Sequence, residues 1–194
     1  MLLDLTFAHG FSVEIPDEWP GSSSNMTFVP PVNGGGKNGV LVHVRPDAAQ
    51  DSLACFAFGE VGADFSAVIA SPQPSRLFVL SYGAGYDFST TNASDWEEIA
   101  CIPVQDAKVV AEHNMVLFND DMTIAAYGRG GLMWKSTRLC WDELQIARVE
   151  GNTLVGSGFD PTNSMKPRGE FTIDLRTGHV LESDFDYAYK QHLF

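Results

Sequence analysis

The chain has 194 residues, and its 12 Lys plus Arg against 25 Asp plus Glu leave a formal net charge of −13 at neutral pH. That balance excludes a nucleic-acid or anionic-membrane partner, because phosphates and headgroups repel it and the scattered basic residues make no footprint. With 44% apolar and 19% charged residues, the chain is a folded globular protein rather than a disordered one, and it is long enough to need no covalent staples.

The first residues, Met1-Leu-Leu-Asp-Leu-Thr-Phe7, lack the basic and apolar regions of a secretory signal. No run approaches the ~18 apolar residues of a membrane helix. Cys55, Cys101 and Cys140 are odd in number and form no CxxC pair, which points to buried free thiols in a reducing compartment. A cytoplasmic location is therefore expected. The sequons at Asn25 and Asn92 carry little meaning without a signal.

Alternation with period two dominates the chain, the mark of strands with one buried face. Leu3, Leu5 and Phe7 alternate, then Phe11, Val13 and Ile15, and His9-Gly10 between them predicts a hairpin turn. Residues 33–39 are glycine-rich and read as a loop. Val40, Val42 and Val44 form the next strand pattern. Further strand-like runs fall at 55–61, 65–70, 76–82, 99–104, 108–112, 115–118, 122–127, 132–136, 144–149, 153–157, 170–175 and 180–182. Turn chemistry separates many of them, at 119–121, 128–131, 150–152 and 176–178.

Helix signals are few. Ser94-Asp-Trp-Glu97 fits a capping box and predicts a short helical turn to Ala100. Residues 47–53 suggest another turn. Ser71-Pro-Gln-Pro-Ser75 is the best internal seam, read as a connection between two sheets. The whole pattern predicts one compact all-β domain over 1–194, built as an antiparallel β-sandwich or a partly closed barrel with a few short helical turns.

Residues 124–135, Ile-Ala-Ala-Tyr-Gly-Arg-Gly-Gly-Leu-Met-Trp-Lys, resemble the strand–turn–strand unit of pyrroloquinoline-quinone-type propeller repeats. In those an Ala-x-Asp-x-x-x-Gly-x-x-x-Trp pattern recurs in every blade; here Tyr127 and Gly128 stand where an aspartate is usual. Residues 171–181, Phe-Thr-Ile-Asp-Leu-Arg-Thr-Gly-His-Val-Leu, resemble the same hairpin with its Asp-x-x-Thr-Gly turn. The resemblance implies local hairpins; it does not carry over a quinone, and no cofactor is expected. The longer stretch 71–181 is similar to a group of uncharacterised bacterial β-rich proteins, which implies a β architecture and no particular chemistry.

No constellation for catalysis or metal binding stands out. His9, His43, His113, His179 and His192 show no ligand spacing. The acidic pairs at 119–121 and 184–186 lack the loop glycine and following Glu of a calcium loop, and read as a turn and a solvated tail. There is no Gly-x-Ser-x-Gly, and Cys140 beside Trp141 and Asp142 has no histidine near it in sequence. Glu97-Glu98 and Asp142-Glu143 are adjacent on strand-like runs, so each pair points to opposite faces. The segment 34–39 has a lysine but no following Ser/Thr or helix, as a phosphate loop requires.

Aromatics are the other candidates. Trp19, Trp96, Trp134 and Trp141, with Tyr82, Tyr86 and Tyr127, either fill the core or line a sugar- or peptide-binding face. Such a face would lie at 83–96 and 134–143, through Tyr86, Asp87, Trp96, Trp134, Arg138, Trp141 and Asp142. The favoured reading is a non-enzymatic binding or protein-interaction module with a basic protein partner. The alternative is a carbohydrate- or metabolite-active enzyme that assembles Asp and Glu residues only in three dimensions.

Overall fold

The computed structural model describes residues 1–19, 26–31, 38–59 and 63–185. It is all-β, and it divides into two compact units, Met1–Val104 and Gln105–Phe194. None of its four sheets closes into a barrel among the described residues, so the barrel alternative is set aside. None of the described helices is long and apolar enough to cross a membrane.

The first unit holds two sheets. Strands β1 (Leu2–Asp4), β6 (Ala67–Ala70), β7 (Arg76–Ser81), β8 (Ala84–Ser89) and β9 (Trp96–Glu98) lie side by side in that order. Strands β2 (Phe11–Glu14), β4 (Gly39–Pro46), β5 (Ser52–Ala57) and β3 (Met26–Val29) form the second sheet, again in that order. Pairing is antiparallel except at β1–β6 and β3–β5, which are parallel. Ala67–Ala70 and Leu77–Leu80 are buried throughout, and their unbroken apolar runs suit central strands covered on both faces. On β4, buried Val42 and Val44 alternate with His43 and Arg45. His43 lies 3.5 Å from Asp51 and 3.9 Å from Glu14, a cross-strand charge cluster on the solvated face.

The second unit is simpler. Strands β10 (Asp106–Val110), β11 (Met115–Asn119), β12 (Ile124–Gly128) and β13 (Gly131–Lys135) form one antiparallel meander in chain order. Strands β14 (Asp142–Glu150), β15 (Thr153–Phe159), β16 (Arg168–Asp174) and β17 (Val180–Ser183) form a second. Leu117, Ile124, Ala126 and Trp134 of the first meander share one core with Leu154, Phe171 and Ile173 of the second. Both stretches chosen for their hairpin pattern are hairpins, β12–β13 and β16–β17.

Several expectations change. Residues 2–15 are not a hairpin: β1 joins β6 in one sheet and β2 joins β4 in the other. The backbone of Gly10 serves longer-range contacts instead, donating to Pro74 O and accepting from Asp47 N. Ser71–Ser75 links two neighbours within one sheet, closed by Ser71 N to Arg76 O and Arg76 N to Gln73 O. The capping box at 94–97 yields strand β9, because Trp96 pairs with Phe88 and sets its ring 6.0 Å from Tyr86. Residues 99–104 form no strand; Pro103 has no N–H, and Ile99 N and Val104 N donate to Gly85 O of β8 and to Gly83 O in the turn before it. The sole described helix is the 3₁₀ turn Ala111–His113. The loop at 33–37, the sequon at Asn25, and Asp186 and His192 lie outside the described residues.

Candidate functional site

Tyr86 and Asp87 are consecutive on β8 and so face opposite ways. Tyr86 is buried, donates its hydroxyl to Ala57 O at 3.0 Å and packs 5.6 Å from Phe56. Burial, with the nearby Glu98 charge and Cys55, pushes its phenol up to about 12. Asp87 is buried too, which raises its carboxyl; Arg76 opposes that shift from 2.6 Å. The Arg76 guanidinium also donates to Asp87 O and to Asp95 Oδ2, at 2.9 and 3.0 Å. Asp87 therefore ties β8 to β7 through Arg76, and Tyr86 ties β8 to β5 through Ala57 O. Tyr86 also lines a concavity of about 250 Å³ with Glu98, Ile102 and Pro103.

In the second unit Trp134 is likewise a core residue. Its indole donates to Leu175 O at 2.8 Å. Its ring lies against Gly178, whose φ of +73° and lack of a Cβ admit the close approach; a Cβ there would fall 2.6 Å from the ring. Half-buried Arg138 covers exposed Trp141, the guanidinium 4.4 Å from the ring centroid. Arg138 also donates to Cys140 O, fixing the stack. Asp142 is exposed and accepts from Glu143 N at 2.7 Å. Of the seven expected residues, Tyr86, Asp87 and Trp96 belong to the first unit and Trp134, Arg138, Trp141 and Asp142 to the second. Tyr86, Asp87 and Trp134 are buried, and Trp141 is exposed beneath Arg138.

The larger concavities are elsewhere. One groove of about 570 Å³ lies in the first unit and is flanked by Trp19, Phe58 and Tyr82, each close to half exposed, with Asp17 and Asp64 on its lining. Phe58 and Tyr82 meet edge to face at 4.6 Å. The β7–β8 turn aims Tyr82: Ser81 pairs with Ala84, and the two-residue loop has φ of 48° at Tyr82 and 83° at Gly83, a type I′ pattern. Ser66 Oγ accepts from Tyr82 N and Phe65 O accepts from Gly83 N, pinning the loop. Trp19 and Tyr82 were legible as candidate face aromatics; Phe58, Asp17 and Asp64 were not, since they sit in unrelated stretches of sequence.

A second cleft, of about 510 Å³, lies in the second unit and is lined by Gln105, Asp106, Asn119, Asp121 and residues 143–146. Burial raises the Asp121 carboxyl; Gln105 Nε2, donating at 3.1 Å, opposes this, and Asp142 and Asp120 add to it. Glu143 at its rim has a positive φ of 53° and pairs with Arg168.

Other sequence candidates resolve as structure. Asp120 Oδ1 accepts from Met122 N and Thr123 N, making 119–121 a tight turn. Asp184 accepts from Glu170 N and Lys166 Nζ. Among the described residues no three His, Cys, Asp or Glu side chains converge to hold a metal. All three cysteines are buried, and burial pushes the Cys140 thiol up to about 12. No protein-family model matches the chain, and no curated protein matches it significantly.

Proposed function

We propose that the chain is a non-enzymatic interaction module whose partner is a basic protein. The observation that carries this reading is the groove of the first unit, where Trp19, Phe58 and Tyr82 stand exposed beside Asp17 and Asp64. Aromatic rings with few rotatable bonds supply contact area at low entropic cost, and such side chains dominate the centres of interfaces. Two carboxylates on the same lining, on a chain of net charge −13, favour a cationic segment and steer its approach. The enzyme alternative is less well supported: Glu143 pairs with Arg168, Asp121 accepts from Gln105, and burial raises the Cys140 thiol.

Capture from the source lysate tests the reading, with wild type compared against Tyr82→Asn and Phe58→Ala. Asparagine keeps the I′ turn while removing the ring. A near-stoichiometric basic protein held at low salt, released at high salt and absent from both variants is the expected result. An acidic partner, indifference to salt, or equal capture by the variants overturns it.

A further inference from the structure

The groove of the first unit also holds a strand edge. In the β2–β4 ladder Glu14 pairs with His43 and Ser12 with Arg45, and Asp47 N donates to Gly10 O just beyond. In an antiparallel ladder, residues that exchange hydrogen bonds with one neighbour alternate with residues that turn to the other side. The odd-numbered residues of β4 therefore direct their N–H and C=O groups toward β2. The other side of β4 agrees, since Phe58 N donates to Asn38 O, which assigns the even-numbered residues to β5.

The two strands differ in length. β4 begins at Gly39, whereas β2 ends at Glu14, opposite His43. Two residues on, the same register would set Pro16 opposite Leu41. Proline has no N–H to give to Leu41 O, so the ladder stops there, and the chain bends at Asp17. Among the described residues no strand pairs with Gly39 or Leu41 on that side. Both residues lie on the lining of the groove, together with Trp19, Phe58 and Tyr82. Backbone donors and acceptors thus share one opening with the aromatic rings.

A row of unpaired backbone groups is a template for one further strand. The occupant's charge follows from Asp17 and Asp64, both exposed on the same lining. Its side chains alternate between two faces once it is extended, so a segment of alternating apolar and basic residues offers both contact for the rings and charge for the carboxylates. We propose that the groove takes an extended, cationic segment of the partner protein by strand addition, a proposal that rests on the groove being the interface. The segment's backbone pairs with Gly39 and Leu41 in the line that β2 vacates after Glu14.

The test uses the full chain and an acetylated, amidated heptapeptide of alternating lysine and valine. A glutamate-for-lysine peptide and a lysine peptide with esters in place of its backbone amides serve as controls. Binding is read by calorimetry and by amide hydrogen exchange. The lysine peptide is expected to bind and to slow exchange at the Gly39 and Leu41 amides at least tenfold, leaving Val40 and Val42, whose amides already serve the β5 ladder, unchanged. The ester peptide keeps the charge but has no backbone donors, and should bind at least tenfold more weakly. Asp17→Asn/Asp64→Asn should weaken the lysine peptide roughly fivefold, the scale of two exposed ion pairs. Binding that is lost in Tyr82→Asn, yet equal for the ester peptide or without effect on the Gly39 and Leu41 amides, overturns strand addition while supporting the groove as the interface. No binding of the lysine peptide, or equal binding of the glutamate peptide, overturns strand addition too, and the lysate capture then decides the groove by itself.

Discussion

Arg76 illustrates how much a single side chain can carry here. It is nearly buried, and it answers the buried Asp87 carboxylate, the Asp87 carbonyl and Asp95 together. Truncating it strands Asp87 in a low-dielectric site. Arg76→Ala is expected to lower the urea unfolding free energy by about 3 kcal/mol, whereas the double variant Arg76→Met/Asp87→Asn should lose less than the single one, because no uncompensated charge is left behind. The cysteines give a second expectation at this scale. All three are buried, and burial raises the Cys55 thiol as well as that of Cys140. A thiol reagent at neutral pH should label none of them in the native chain and all three after denaturation.

Asp184 sets part of the acid sensitivity. The Glu170 N–H and then Lys166 hold its carboxyl below the usual aspartate range. As pH falls, the unfolded chain takes up this proton first. The stability from these contacts is therefore complete above the ordinary aspartate value and lost between that value and the lower folded one. Asp184→Asn should flatten the loss of stability with pH in that window, measured as urea midpoints across an acid series.

Among the elements, the β7–β8 turn is the most informative. A tyrosine at φ of 48° is unfavourable, and glycine or asparagine suits that position better. Tyr82→Asn is thus expected to leave the chain equally or slightly more stable, by up to about 1 kcal/mol, while removing the ring from the groove. Thermal melts check this separately from binding. Local pattern was a good guide where pairing is local. Val40, Val42 and Val44 alternate as β4, and the Asp174–Gly178 turn joins β16 to β17 as its composition implies. It failed where distant partners decide. The period-two residues at 2–15 are strands, but which strands they pair with is set by β4 and β6. Ser94 and Glu97 offered a capping box, yet Trp96 pairs with Phe88 and packs edge to face beside Tyr86, contacts that a distant strand supplies. The groove was hidden for the same reason: Asp17, Phe58 and Asp64 belong to separate segments that only folding brings together.

At the scale of the whole molecule, the boundary at Val104/Gln105 separates units of different construction. The second unit has its own core, with Leu117, Trp134, Leu154 and Phe171 among its members. Residues 105–194 expressed alone should therefore give a β-type circular dichroism spectrum and a cooperative urea transition; a gradual, featureless transition would show that this core does not suffice.

The parallel pairing of β1 with β6 has a consequence in time rather than in space. Leu2 is matched to Ala67, so β1 has no strand partner until some sixty further residues have been made. The two meanders of 105–194 face no such delay, since each strand there finds its neighbour as soon as one turn is complete. During synthesis β1 is thus the strand left waiting, and a nascent chain of this design has most need of a chaperone between the emergence of β1 and that of β6.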